Sequence, residues 1–247
     1  MNPMRAIIKK EFLSFVAEPL LLVLGVVFLS VSMALPLYFG GFFERDQADL
    51  QSFLTFIPWI LLVLSPAVAM RAWADEMKSG TIETIFTMPV LLRDWVIGKF
   101  LSAWFLLIVL ILCTLPMVVV LAYLGSPDWG VLFGGYIATI LLAGAYLAAA
   151  QFASCLTKNQ VIAFVLGLLI CFILTMAGSR MVTGFAGLSE FGLGFLSPLL
   201  LQLSVQNYYA AMIDGAFALP SVLFFGLWIG LFQGLTLLAL QQKQVRP

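Results

Sequence analysis

The residues that could do covalent or metal chemistry are few and stand apart from one another in this 247-residue chain. Histidine is absent, which excludes His-based acid or base catalysis and zinc sites with His ligands. Cys113, Cys155 and Cys171 each lie alone in an apolar stretch, and Glu190 and Asp214 are too isolated to form a paired-carboxylate site. The sequence therefore predicts that the chain is not an enzyme and binds no metal.

Gly98-Lys99-Phe100 is the nearest approach to a phosphate-binding loop. It lacks the hydroxyl residue that follows lysine in such a loop, and it lacks the glycine five positions upstream of Gly98. We therefore expect that this chain neither hydrolyses ATP nor binds a cofactor of its own.

One strongly polar segment, residues 71–99, interrupts the apolar stretches, and its centre, residues 75–83, reads DEMKSGTIE. Residues 75–79 have helical composition, Gly80 breaks or caps the helix, and Pro89 ends the next one. The pattern predicts two short helices at an angle. Their charged and capping residues are Asp75, Glu76, Lys78, Gly80, Thr81 and Glu83.

The second of these helices carries an apolar stripe. Ile82, Ile85 and Phe86 have i, i+3, i+4 spacing, and Glu83 lies in the first turn, where the helix dipole favours a negative charge. Such a stripe outside the membrane suits the groove of a partner protein. The alternative is a helix on the membrane surface that dips Ile82 and Phe86 into lipid.

Composition places the chain in a membrane, because 63% of its residues are hydrophobic and 10% are charged. A spanning helix needs about 20 apolar residues. Six stretches qualify, and they predict one all-α polytopic domain over residues 1–247. The stretches lie near 20–39, 53–71, 100–123, 131–155, 160–178 and 220–241.

The basic residues predict the orientation, since Lys and Arg are retained on the cytoplasmic side. Ten of the 12 fall on the side of the termini, and only Arg45 and Arg180 fall on the other side. We therefore expect a multi-pass protein of the bacterial cytoplasmic (inner) membrane with both termini in the cytoplasm and no nucleic acid partner.

An amphipathic segment over about 3–17 precedes the first span and predicts an interfacial helix on the inner leaflet. Glu18-Pro19 marks the bend into the span. The alternatives are a plain extension of the first span and a signal peptide, and we interpret the segment as retained. The residues assigned to this helix are Arg5, Ile8, Lys9, Phe12 and Phe15.

Residues 179–219 mix glycines with apolar residues, which is unusual for an outer loop. We expect a broken or re-entrant helical element that protein or a water-filled cavity shelters. The alternative is a glycine-rich loop followed by an interfacial helix.

Small and polar residues mark the packing faces of the spans. Gly226, Gly230 and Gly234 share one helix face and predict close packing within the subunit. Gln151 and Gln233 lie in apolar spans, where burial favours an interhelical hydrogen bond, and the alternative is a contact with a substrate in a polar pathway.

The ordered motifs resemble one family. The run of residues 76–83, then Met88-Pro89-Val90 and residues 96–99, is similar to the cytoplasmic coupling-helix region of ABC-2 type transporter permeases. Residues 203–209 and 213–215 with the last span resemble the close of the gliding-motility and copper-enzyme-maturation branch. The resemblance covers nearly the whole chain.

This resemblance implies a transmembrane permease subunit that pairs with a second permease, identical or related, with one ATPase subunit docked under each. ATP and Mg²⁺ would bind the separate ATPase. Ile82, Ile85 and Phe86 would fill a groove of the ATPase, while Glu76, Lys78 and Glu83 would make charged contacts around it. The coupling region, about 75–89, would transmit ATPase closure to the spans for export or force transmission, with a periplasmic partner as a further option.

Two other classes remain as alternatives. An ATP-independent secondary carrier would place ionisable residues inside the spans, whereas almost every charge here lies at a boundary or in a loop. A structural membrane anchor of a larger complex would fit the hydropathy and would have no effect on nucleotide turnover.

Overall fold

Helices make up the regular structure of the computed structural model, which describes residues 3–39, 51–124, 128–177, 202–215 and 219–245. No strand occurs within these ranges, so the all-α prediction is confirmed for them. In chain order the helices are α1 (Pro3–Val16), α2 (Pro19–Phe39), α3 (Gln51–Ala69), α4 (Ala74–Ser79), α5 (Ile82–Thr87), α6 (Leu92–Leu112), α7 (Leu115–Leu124), α8 (Trp129–Leu156), α9 (Gln160–Met176), α10 (Val205–Ile213) and α11 (Leu219–Val245).

Four helical runs among the described residues are long and apolar enough to cross a membrane: Phe53–Ser79, Leu92–Val120, Trp129–Leu156 and Leu219–Gln244. The bent pair Met4–Val16 and Leu21–Leu35, at 72°, would make a fifth. Helix α9 is apolar, but its 17 residues extend only about 25 Å, less than the roughly 30 Å hydrocarbon core of a bilayer. The structure thus has four or five candidate spans where the sequence predicts six.

Helix α8 is the centre of the fold, with 72% of its most apolar window buried. It packs against α3, α6, α9, α10 and α11. Small residues allow this close approach: a Cβ at Gly167 of α9 would lie 3.2 Å from the Cβ of Ala150 on α8. Asp128 caps the start of the helix, because its Oδ1 accepts from the Gly130 N–H at 2.8 Å.

Helix α10 packs into the same core. Tyr209 is fully buried, and its hydroxyl donates to the Leu54 carbonyl of α3 at 2.7 Å and lies 3.2 Å from the Thr139 Oγ1 of α8. This part of the expected outer element, 179–219, is helical and sheltered by protein. The glycine-rich stretch of that element, residues 178–201, lies outside the described residues.

The face of α11 that carries Gly226, Gly230 and Gly234 has no packing partner among the described residues. A Cβ at Gly226, Gly230 or Gly234 would meet no atom of the described residues within 4 Å. The spacing does place the three glycines on one face, but that face points away from α8 and the rest of the described core. No described residue lies against these glycines, and their close packing within the subunit stays a prediction.

Candidate functional site

The break between α3 and α4 is stabilised by a side chain of α8. Regular α-helix is interrupted by a turn over residues 70–73, which leaves backbone groups without partners in their own helix. Ser154 Oγ accepts from the N–H groups of Trp73 and Ala74, both at 3.2 Å, and donates to the Met70 carbonyl at 2.9 Å. One hydroxyl of the central helix therefore fixes where α4 starts.

Lys99 carries its charge into the protein beside α4. Its side chain is 4% exposed, and Nζ lies 2.7 Å from Glu76 Oε1 and 3.3 Å from Glu11 Oε2. It also lies 5.2 Å from the centre of the Trp73 ring, a cation–π distance. Two carboxylates and a ring compensate for the lost hydration of the ammonium, and the contacts join α6 to α4 and to α1.

Arg71 makes a second set of ionic contacts at the same level. Its Nε donates to Asp75 Oδ2 at 3.0 Å, and its guanidinium also pairs with Glu18 at the bend between α1 and α2. Asp75 in turn accepts from the Gln160 side chain at the start of α9. We call Glu11, Glu18, Arg71, Asp75, Glu76 and Lys99 the charged junction. Through Gln160 it also reaches α9.

The last helix reaches the same level. Lys243 Nζ donates to the Cys155 carbonyl in the last turn of α8 at 2.7 Å, and it lies 3.0 Å from Met77 Sδ of α4. A cation at the carbonyl end of a helix is favoured by the helix dipole. Lys243 therefore connects α11 to the end of α8 and to α4.

Beneath these polar contacts lies a small apolar cluster, which we call the lower cluster: Ile7, Trp73, Met77, Ile85, Trp95, Val96, Cys155 and Leu240. Its members come from α1, α4, α5, α6, α8 and α11 and from the turn before α4. Ile82 packs partly against it. The lower cluster holds α5 against the ends of the other helices.

Two residues of the expected docking surface point inward. Ile85 is 7% exposed because it belongs to the lower cluster, so it anchors α5 and is not presented to a partner. Glu76 pairs with buried Lys99 and has a side chain only 17% exposed, which contradicts its expected place among the charged contacts around a groove. Burial of an apolar face and neutralisation of Lys99 are the physical reasons for these corrections.

The rest of that surface is accessible. Lys78, Gly80, Thr81, Glu83 and Pro89 are exposed, and Ile82 and Phe86 are half-buried. Gly80 has φ +75°, a left-handed conformation that glycine adopts without penalty, and it turns α5 away from α4. We call residues 78–89 other than Ile85 the exposed tip. Met88, which belongs to the motif that resembles a coupling-helix region, is 45% exposed beside Pro89.

Helix α1 packs on α6. A Cβ at Gly98 would lie 2.8 Å from Ile7 Cγ2, and the rings of Phe12 and Phe105 meet edge to face at 5.3 Å. Phe15 is buried, Ile8 is half-buried, and Arg5 and Lys9 are exposed. The helix is therefore amphipathic, as the sequence indicates, and its apolar side faces protein at least in part.

Gln151 and Gln233 bond to each other across α8 and α11. Gln233 Nε2 donates to Gln151 Oε1 at 3.0 Å, and Gln151 is 2% exposed. This is the interhelical hydrogen bond that the cost of burial favours. The two side chains hold α11 to α8 about one turn from the Ser154 contact.

Several residues of the site could not be identified from sequence. Ser154, Gln160 and Lys243 were not singled out, although a hydroxyl and a lysine at the ends of apolar helices are weak signals. Within the described ranges no group of three or more His, Cys, Asp or Glu could hold a metal ion. Through these contacts α4 and α5 are joined to α1, α6, α8, α9 and α11.

Comparison with known proteins gives one match over nearly the whole length. The family model described as ABC-2 family transporter protein matches residues 5–245. A comparison with curated proteins finds no significant match.

Proposed function

Because the chain belongs to the ABC-2 family of transporter proteins, a family of membrane proteins, we propose that it is the permease subunit of an ATP-driven transporter. A separate ATPase, which binds ATP and Mg²⁺, docks at the exposed tip. Its closure on nucleotide moves α4 and α5, and the spans carry out export or force transmission across the cytoplasmic membrane.

The observation that carries the proposal is the two-sided environment of α5. One side is held by Ile85 in the lower cluster, while Glu83, Thr84 and Thr87 on the other side are exposed. A six-residue helix would be unstable alone, so its fixed position beneath the spans comes from this packing. A rigid element with one free face is suited to receive force from a docked partner.

The contacts of the charged junction support a route by which force on α4 and α5 reaches the spans. Lys99 joins α4 to α1 and α6, Arg71 joins it to the start of α2, and Ser154 joins it to α8. A displacement of α4 would strain the ionic contacts of Lys99 and Arg71 and the hydrogen bond to Ser154. The helices therefore move together, which is what conversion of ATPase closure into span motion requires.

The proposal includes six spans with cytoplasmic termini, one branch of the family and a second permease. The bend of 72° between α1 and α2 supports an interfacial α1 followed by a first span, and counting α9 as a short span gives six with cytoplasmic termini. The motifs at 203–215 support membership of the gliding-motility and copper-enzyme-maturation branch. A second permease, identical or related, would complete the pathway.

Docking is tested by copurification of the tagged chain with candidate ATPases from its host. Thr84→Trp places a bulky ring on the free face of α5, where no internal contact is lost, and we expect it to abolish copurification. Ile82→Asp/Phe86→Asp should do the same, because it removes half-exposed apolar contacts. Gln241→Trp, at an exposed position on α11, is the matched control.

The proposal predicts that all these variants insert in the membrane and elute from a sizing column as the wild type does. If well-folded Thr84→Trp still binds the ATPase, the exposed tip is not the docking surface. Absence of any ATPase from wild type would favour the ATP-independent carrier or the membrane anchor.

A further inference from the structure

A polar cavity lies in the corner between α1 and the end of α3, and the residues of the charged junction line it. Its volume is about 250 Å³, and its lining carries three cationic and four acidic side chains, which leaves one net negative charge. Lys99 and Arg71 are engaged by carboxylates of the junction. The cavity is therefore a polar site with a slight excess of negative charge and space for a ligand.

Two groups of this cavity retain unused binding capacity. Glu76 Oε2 is buried and has no hydrogen-bond partner among the described residues. Lys10 has a side chain 70% exposed, and its nearest carboxylate oxygen is 4.0 Å away. A buried carboxylate oxygen without a donor is costly, so an incoming ammonium group would be stabilised there. A phosphate would be stabilised by Lys10.

An apolar groove lies between α2 and α3. It has a volume of about 340 Å³, within the range of small-molecule sites, and its lining includes Leu24, Val27, Phe28, Val31, Trp59 and Val63. Both wall helices expose apolar side chains, at Val26 of α2 and Val63 of α3 for example. The groove therefore suits a hydrocarbon chain.

The cavity and the groove are in line. Seven residues make about two helical turns, so positions seven apart lie on one side of the helical run Phe53–Ser79. Leu64 of the groove and Arg71 of the cavity are seven residues apart, about 10 Å along a helix. Glu18, which pairs with Arg71, stands at the start of α2, the other wall of the groove.

We propose that the cavity and groove together bind one phospholipid of the inner leaflet whose headgroup carries a phosphate and a primary ammonium. The ammonium donates to Glu76 Oε2, the phosphate lies beside Lys10, and one acyl chain fills the groove between α2 and α3. An anionic headgroup is disfavoured by the net negative lining. An apolar helix could fill the groove but would leave Glu76 Oε2 unpaired.

The site goes beyond the proposed function and does not depend on it. The lipid would touch Glu76 and Arg71, and so it would sit against the charged junction that holds α1, α4 and α6 together. Binding can be scored on the purified chain whether or not an ATPase is attached.

The test is native mass spectrometry of the full chain in mild detergent after exposure to equal amounts of phosphatidylethanolamine and phosphatidylglycerol. Val27→Trp fills the groove, and Val26→Trp puts the same ring on the neighbouring lipid-facing position. Ser14→Trp blocks the cavity without touching an ionic contact, and Leu13→Trp is its neighbouring exposed control.

We expect wild type, Val26→Trp and Leu13→Trp to retain one phosphatidylethanolamine in preference to phosphatidylglycerol. Val27→Trp and Ser14→Trp should each retain about tenfold less, because each removes one half of the binding surface. Equal retention by all variants, loss in only one of the two blocking variants, or indifference to the headgroup would overturn the proposal. If a blocking variant fails to fold, the competition between the two lipids on wild type still tests the proposal, since equal retention of both lipids would contradict it.

Discussion

Lys99 is the most constrained single residue of the charged junction, because a 4% exposed ammonium is neutralised by Glu11 and Glu76 from two other helices. Removal of the cation leaves two half-buried carboxylates facing each other. Breaking a buried ion pair in this way costs about 3–5 kcal/mol.

We therefore predict that Lys99→Met lowers the free energy of unfolding by about 3 kcal/mol. The measurement is unfolding of the purified chain in a denaturing detergent, followed by tryptophan fluorescence. Lys99→Met/Glu76→Gln should recover part of the loss, because it removes one of the stranded charges. A single variant as stable as wild type would show that the contacts carry no energy.

Ser154 is a second residue whose effect can be isolated. Ser154→Ala strands the N–H groups of Trp73 and Ala74 and the Met70 carbonyl, which should cost about 1–3 kcal/mol in the same unfolding assay. Ser102→Ala is the control, since that buried hydroxyl only donates to the Lys99 carbonyl of its own helix at 2.9 Å. Equal losses for both would contradict the bridging role of Ser154.

At the scale of elements, α5 is useful because its two sides have different roles. Ile85→Asp puts a charge into the lower cluster and should destabilise the packing of α5, with loss of stability and of ATPase docking together. Thr84→Asp, on the exposed side, should alter docking alone. Both variants are compared by unfolding and by copurification with the ATPase. Unchanged stability and docking in Ile85→Asp would contradict the anchoring role of Ile85.

The angle between α4 and α5 depends on Gly80. A Cβ there would meet no described atom within 4 Å, so Gly80→Ala changes only the cost of the left-handed backbone, about 1 kcal/mol. We predict weaker ATPase docking for Gly80→Ala, with Gly80→Asn less affected because asparagine tolerates this conformation. Titration of the purified ATPase measures both, and an unchanged dissociation constant for Gly80→Ala would argue against a fixed angle.

The sequence predicts where α4 and α5 begin and end better than it predicts which residues they contact. Glycine at 80 and proline at 89 end helices through local backbone chemistry, so the two short helices can be read from the chain. The orientation of α5 cannot, because the lower cluster that buries Ile85 is assembled from helices distant in sequence. For the same reason Glu76 and Lys78, two residues apart, have opposite environments that only the position of Lys99 explains.

At the scale of the whole molecule, hydropathy identifies a polytopic helical membrane protein but not how each helix is used. Helix α8 is buried on most sides, whereas only 17% of the most apolar window of α11 is buried. Both read as apolar spans in the sequence. Small residues let helices approach closely, so they help to decide which surface of a helix faces protein. The glycines of α11 form such a small-residue face, yet no described residue packs against it.

The membrane orientation gives a prediction at this scale. In a background without native cysteines, Asp46→Cys should react with a membrane-impermeant thiol reagent added outside, and Lys158→Cys should react only after the membrane is opened. The reason is the concentration of basic residues on the side of the termini. Outside labelling of Lys158→Cys would reverse the proposed topology.

The central claim is that this membrane subunit works through a separate ATPase. The most direct measurement is purification of the tagged wild-type chain from its host in mild detergent, followed by identification of bound proteins and assay of ATP turnover. The account predicts an ATPase in the complex and measurable turnover, with both lost in Thr84→Trp. A well-folded wild-type preparation that carries no ATPase and shows no turnover would contradict it.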